Sequence, residues 1–108
     1  METQSSTKPI VSVVGAGSIG TSWAIAFTIA GYFVRLHDND NKRLQLAREE
    51  VLDRVTDLKA FDLIDESPDQ VIDRLSTEMD IEIAITGAEH IQECIPETID
   101  KKIQIFCY

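Results

Sequence analysis

Ile10-Val11-Ser12-Val13-Val14-Gly15-Ala16-Gly17-Ser18-Ile19-Gly20 is the stretch on which the fold is read. Ile10 to Val14 is β-branched and almost continuously apolar, as a strand covered on both faces should be. A glycine cluster ends it, and Ile19 to Ala30 is small, apolar and compatible with a helix. Gly31 then stands where a glycine commonly closes a helix. Tyr32 to His37 reads as a second strand, followed by the turn-forming Asp38-Asn39-Asp40-Asn41. Strand, glycine turn, helix and strand within about thirty residues is the spacing of a right-handed parallel crossover.

Outward from this unit the pattern continues. Residues 1–9, METQSSTK and Pro9, read as a disordered lead-in, and the apolar run after them is too short for a signal peptide or a membrane span. Beyond Lys42, the residues Leu44, Ala47, Val51, Val55 and Leu58 recur at steps of three and four, an apolar stripe along one helix. Ser67-Pro68-Asp69-Gln70 predicts a second, shorter helix, with Ser67 as cap, Pro68 in the first turn and Gln70 completing a capping box. Ile81, Ile83 and Ile85 alternate like a strand bounded by Gly87. His90 to Ile95 reads as a further strand ending at Pro96, and Thr98 to Tyr108 as the first turns of another helix. The expected order is β-α-β-α-α-β-β and the beginning of one more helix.

Composition narrows the partners. The chain has 108 residues, room for one domain with a modest core. Ten Lys and Arg against nineteen Asp and Glu leave a net charge of −9. That balance argues against nucleic acid, which is held chiefly by basic residues, and against an anionic membrane surface. Two cysteines, Cys94 and Cys107, form no disulfide framework and no metal-binding spacing, which favours a reducing, cytoplasmic setting.

Gly15-Ala16-Gly17-Ser18-Ile19-Gly20 matches G-x-G-x-x-G, and the match gains weight from its context between strand and helix. Gly15 permits a tight turn, Gly17 lets the backbone approach a pyrophosphate, and Gly20 allows close packing behind it. The amides of Ser18 and Ile19 would point at phosphates from a helix N-terminus. Asp38 lies 18 residues after Gly20, at the end of the second strand, near the spacing of about 20 for a ribose-binding acid. A carboxylate there accepts from the free ribose hydroxyls of NAD and repels the 2′-phosphate of NADP. Asn39, Asp40 and Asn41 bring no cation, and Lys42 and Arg43 read as solvated charges of the next helix. NAD is the expected cofactor, although the glycines alone would also suit FAD.

GAGSIGTSWAIAFTIAGYFVRLHD (15–38) and GAEHIQECIPETIDKKIQIF (87–106) resemble the 3-hydroxyacyl-CoA dehydrogenase superfamily. Ser22-Trp23-Ala24 and His90-Ile91-Gln92-Glu93-Cys94 before Ile95-Pro96-Glu97 are closest to its lambda-crystallin / L-gulonate 3-dehydrogenase branch. The resemblance implies an α/β fold: a partial Rossmann-type, doubly wound parallel sheet of about four strands, ordered 3-2-1-4. Residues 10–108 would be the N-terminal part of an NAD-binding domain, stopping before its second half and before an all-helical C-terminal domain. It also implies a short third strand followed by a helical turn where Ile81 to Ile85 alternate. The parent would be a homodimer that oxidises a small 3-hydroxy acid. A fatty 3-hydroxyacyl-CoA dehydrogenase and a non-catalytic NAD-binding module are the alternatives.

Carried over position by position, the family's cofactor contacts fall on Ser18, Ile19, Asp38, Glu97 and Lys102. Glu97, just past the fourth strand, would face the glycine turn across the crevice between strands one and four. No catalytic set is visible in the chain. His37 and His90 stand at opposite ends of their strands, and neither matches a family catalytic position. Cys94 and Trp23 read as packing residues, and Asp62, Asp65, Glu66 and Asp69 lack the spacing of a cation loop.

Overall fold

The structure, a computed structural model, describes residues 9–94. The expected helix at Thr98 to Tyr108 and the residues Glu97 and Lys102 lie outside that range. The opening unit forms as read: β1 (Ile10–Val14), α1 (Ser18–Ile29) and β2 (Phe33–His37). Next come α2 (Asn41–Ala60), α3 (Pro68–Ile72), β3 (Leu75–Glu78), α4 (Ile81–Ile85) and β4 (His90–Glu93). The four strands make one parallel sheet in the order β3-β2-β1-β4.

Burial explains why β1 is so apolar. As one of the two interior strands it has Val11, Ser12, Val13 and Val14 all buried. Val11 and Val13 join the core built with Ala24 of α1, Val34 and Leu36 of β2, and Leu44, Ala47, Val51 and Val55 of α2. Alternate residues of a strand point to opposite faces. Ser12 accordingly meets α4 on the other side, where its hydroxyl donates to the Ala84 carbonyl. The predicted stripe of α2 is the face it buries, with Leu58 half-covered at the far end.

Local capping sets the helix starts. The Asp40 carboxylate accepts from the amides of Lys42 and Arg43 and begins α2. Ser67 and Gln70 form the predicted capping box of α3. Arg74 holds the end of α1, donating from Nε and a terminal nitrogen to the Thr28 carbonyl at 3.1 and 2.6 Å. The same guanidinium grips Glu66 through both carboxylate oxygens, at 2.8 and 2.6 Å, which raises its pKa further.

The stretch from 75 to 85 corrects the alternation read from the sequence. The third strand is Leu75–Glu78, and Ile81–Ile85 is helical. Asp80 caps that helix by accepting from the amides of Glu82 and Ile83. Ala84, between the isoleucines, is the residue it buries, while Ile83 is exposed. The order implied by the resemblance, a short strand and then a helical turn, is the one observed. Arg35 of β2 fastens α4 to the sheet by donating to the carbonyls of Ile83, Ala84 and Thr86.

Candidate functional site

Because the sheet is parallel, the carboxyl ends of its strands lie at one edge. The Gly15 amide donates to the His37 carbonyl at 2.7 Å, and the Cys94 amide to the Val14 carbonyl at 2.8 Å. These bonds extend the sheet by one step and bring three segments together: the glycine turn after β1, Asp38 after β2 and Cys94 after β4. Here the strand order reverses, with β2 on one side of β1 and β4 on the other, the position at which ligands of open α/β sheets bind.

Each glycine of the turn has a separate steric job. Gly15 has a φ of 106°, a left-handed conformation that suits glycine. Gly20 is buried; a Cβ there would lie 1.7 Å from the Gly15 carbonyl oxygen and 3.6 Å from Cβ of Cys94. The third glycine therefore lets α1 close against the turn itself. Gly17, the residue before α1, has open space in front of it among the described residues. Within that range, a Cβ there would find only a terminal nitrogen of Arg43, at 4.0 Å. Ser18 and Ile19 form the first turn of α1 and are both exposed. Among the described residues no side chain caps this helix, and its first turn holds no acidic residue. Its leading amides are thus available to an anion, with the helix dipole behind them.

Asp38 reaches back to the same turn. Its Oδ2 accepts from the Ala16 amide at 3.0 Å and its Oδ1 from the Asp40 amide at 3.0 Å. The side chain is largely covered, yet each carboxylate oxygen keeps a further lone pair. That geometry can accept hydrogen bonds from two neighbouring hydroxyl groups. Sequence reasoning left one participant out. Arg43, expected as a solvated helix charge, brings its Nε within 4.0 Å of Asp38 Oδ2. Its position five residues after the acid, in the first turn of α2, was the available signal.

Other residues fall into place around this crevice. His37 lies at the same strand end, with Nδ1 buried and, among the described residues, without a hydrogen-bond partner. Burial pushes its pKa below 6.5, against the opposing pull of the Met79 backbone and of Asp38, Glu78 and Asp80. His90 starts β4 at the opposite end of the sheet, packed near Phe27 and paired with Gln92. Trp23 stacks on Phe27 at 5.5 Å, and Cys94 packs against the core. Glu97 and Lys102, assigned from the resemblance, lie outside the described residues, so their facing of the turn stays an expectation. Among the described residues, no group of three His, Cys, Asp or Glu could hold a metal ion. Within the same range no helix is long and apolar enough to cross a membrane.

Comparison with known proteins agrees with this geometry. The human lambda-crystallin homolog is 34% identical over 108 residues, covering 94% of this chain and 33% of its own length. An L-carnitine dehydrogenase/betainyl-CoA thioesterase of Ruegeria pomeroyi is 30% identical over 95 residues, covering 88% of this chain and 19% of its own. Among solved structures, 3-hydroxybutyryl-CoA dehydrogenase from Escherichia coli superposes with a TM-score of 0.84 over 93% of this chain and 21% of its own, at 23% identity. The chain spans about a third of the length of the lambda-crystallin relatives it matches. Residues 10–108 match the model of the 3-hydroxyacyl-CoA dehydrogenase NAD-binding domain. A parallel sheet ordered 3-2-1-4, with a glycine turn at its crevice and that match over nearly the whole chain, makes this protein a member of the 3-hydroxyacyl-CoA dehydrogenase NAD-binding domain family.

Proposed function

We propose that this chain is the cofactor-binding portion of an oxidoreductase that oxidises a small 3-hydroxy acid, with L-gulonate as the leading substrate. One observation carries the cofactor half of the reading: Asp38 is bonded to the amide of Ala16, inside the glycine turn. The acid that would take the adenosine ribose and the turn that would take the pyrophosphate therefore form one site. Among the described residues, the space before Gly17 is open and the start of α1 uncapped, which fits the phosphates. The substrate half is supported by the resemblance to the L-gulonate 3-dehydrogenase branch and by the lambda-crystallin relatives.

NAD, when bound, would supply the hydride acceptor for oxidation at the carbinol carbon of the substrate. The residues of this chain bind and orient. Gly15, Gly17 and Gly20 shape the turn, the amides of Ser18 and Ile19 would hold the pyrophosphate, and Asp38 would accept from the ribose hydroxyls. Glu97 and Lys102 would approach from beyond β4. A base must also take the hydroxyl proton, and no residue gathered at this site matches a family position for that role. The 108 residues are therefore expected to bind NAD without turnover. The longer parent would work as a cytoplasmic homodimer.

Calorimetry with NAD, followed by reduced-nicotinamide absorbance in the presence of L-gulonate, tests both halves. Saturable NAD binding without NADH production is expected of the 108-residue chain. Absent NAD binding would overturn the cofactor reading, and steady turnover would overturn the division of labour. In a longer protein carrying this chain, oxidation of 3-hydroxybutyryl-CoA in preference to L-gulonate would overturn the substrate.

A further inference from the structure

The crevice holds a cation that the reading of an NAD site does not use. Arg43 lies between the two features that define the adenosine end. Its Nε is 4.0 Å from Asp38 Oδ2, and a terminal nitrogen is 4.0 Å from the position of a Cβ on Gly17. The acid is fixed by the amides of Ala16 and Asp40, so the pair does not depend on a freely rotating carboxylate. The Arg43 amide donates to Asp40, and among the described residues the ion-pair partner of its side chain is Asp38, at the outer limit of such a contact. Its side chain is 55% exposed, which leaves the guanidinium free to turn from Asp38 toward an incoming group.

We propose that Arg43 is a cofactor-specificity residue: it receives a 2′-phosphate on the adenosine ribose, so that the site accepts NADP as a second cofactor beside NAD. The inference rests on the assignment of Asp38 to the ribose. In a site with Asp38 alone, a phosphate on the 2′-oxygen would meet a carboxylate with nothing to offset it. Here the guanidinium stands beside that carboxylate and can donate two hydrogen bonds to phosphate oxygens in its planar fork. Asp38 keeps the preference for a free hydroxyl, and Arg43 narrows it.

Binding of two probes to the 108-residue chain, measured by calorimetry, separates the roles. The probes are 5′-AMP and adenosine 2′,5′-bisphosphate, which differ by the phosphate in question. Arg43→Gln should leave 5′-AMP within about twofold and weaken the bisphosphate by about tenfold, the loss of one charge-assisted contact. Arg43→Lys should recover part of that loss, because it keeps the charge and gives up the fork. Raising the salt concentration should shrink the wild-type advantage, since the guanidinium is more than half exposed. Equal weakening of both probes would mean that Arg43 holds the 5′-phosphate or the base, and would overturn the proposal. So would two unchanged affinities. Failure of 5′-AMP to bind the wild-type chain would remove the nucleotide site itself, a result distinct from a site that binds 5′-AMP and ignores Arg43.

Discussion

The amide of Ala16 donates to Oδ2 of Asp38 at 3.0 Å, tying the middle of the glycine turn to an acid 22 residues later. The Asp40 amide holds the other oxygen at 3.0 Å, so the carboxylate is oriented from two sides. Its orientation is built into the fold, and a ribose would find its acceptors already in place. Such preorganisation lowers the ordering cost of binding.

Asp38→Ala should weaken NAD by roughly ten- to a hundredfold, since hydrogen bonds to a charged group contribute about 1.5–3 kcal/mol. NADP should lose less, because the same change removes a repulsion from its 2′-phosphate. Calorimetric titration with both cofactors reads the ratio directly. A ratio equal to that of the unaltered chain would show that Asp38 does not meet the ribose.

Gly17→Val should abolish dinucleotide binding and leave the fold standing. The residue has φ −77° and ψ −165°, which any L-residue can adopt, and among the described residues the first atom near a new Cβ is 4.0 Å away. Loss of glycine at the cap should cost stability only about 1 kcal/mol. Circular dichroism should show the helices intact while NAD no longer binds. Normal NAD affinity in this variant would mean that the pyrophosphate does not pass over Gly17.

Gly20→Ala should do the reverse, damaging the fold first. Its Cβ would fall 1.7 Å from the Gly15 carbonyl oxygen, a backbone atom with little room to yield. Overpacking of this kind costs about 1–3 kcal/mol or more. Thermal unfolding should therefore begin several degrees lower, roughly 4–8 °C per kcal/mol for a domain near this size. A melting curve superimposable on that of the unaltered chain would contradict the observed closeness of α1 to the turn.

His37 should make stability depend on pH just below neutrality. Burial holds its folded pKa below the usual 6.5, so the folded chain binds fewer protons there than the unfolded chain. Stability is then complete above about pH 6.5 and falls as pH drops through the folded value, before most carboxylates begin to titrate near pH 4. Urea midpoints measured between about pH 7 and 5.5 should decline, and His37→Gln should flatten that decline. An equally steep decline in the variant would assign the effect to other groups.

The opening unit was legible because its signals are local. Val11 to Val14 announce a strand covered on both faces, the glycines mark the turn, and the three- and four-residue steps from Leu44 to Val55 mark the buried face of α2. The capping box at Ser67 and Gln70 is likewise written in four consecutive residues. The third strand left no such trace. Leu75 is the one buried residue of Leu75–Glu78, and an edge strand with a single covered side chain has no alternation to read. Ile81, Ile83 and Ile85 alternate, yet five residues are too few to separate a period of 2 from one of 3.6. Tertiary contacts decided the matter: Asp80 caps the turn, while Ser12 and Arg35 take its carbonyl groups from the sheet beneath. Arg43 follows the same logic. The sequence by itself determined that Asp38 would sit beyond β2 near a glycine turn. Only the direction in which α2 leaves Asp40 carries Arg43 back over that turn, because side-chain reach depends on helix orientation and not on spacing along the chain.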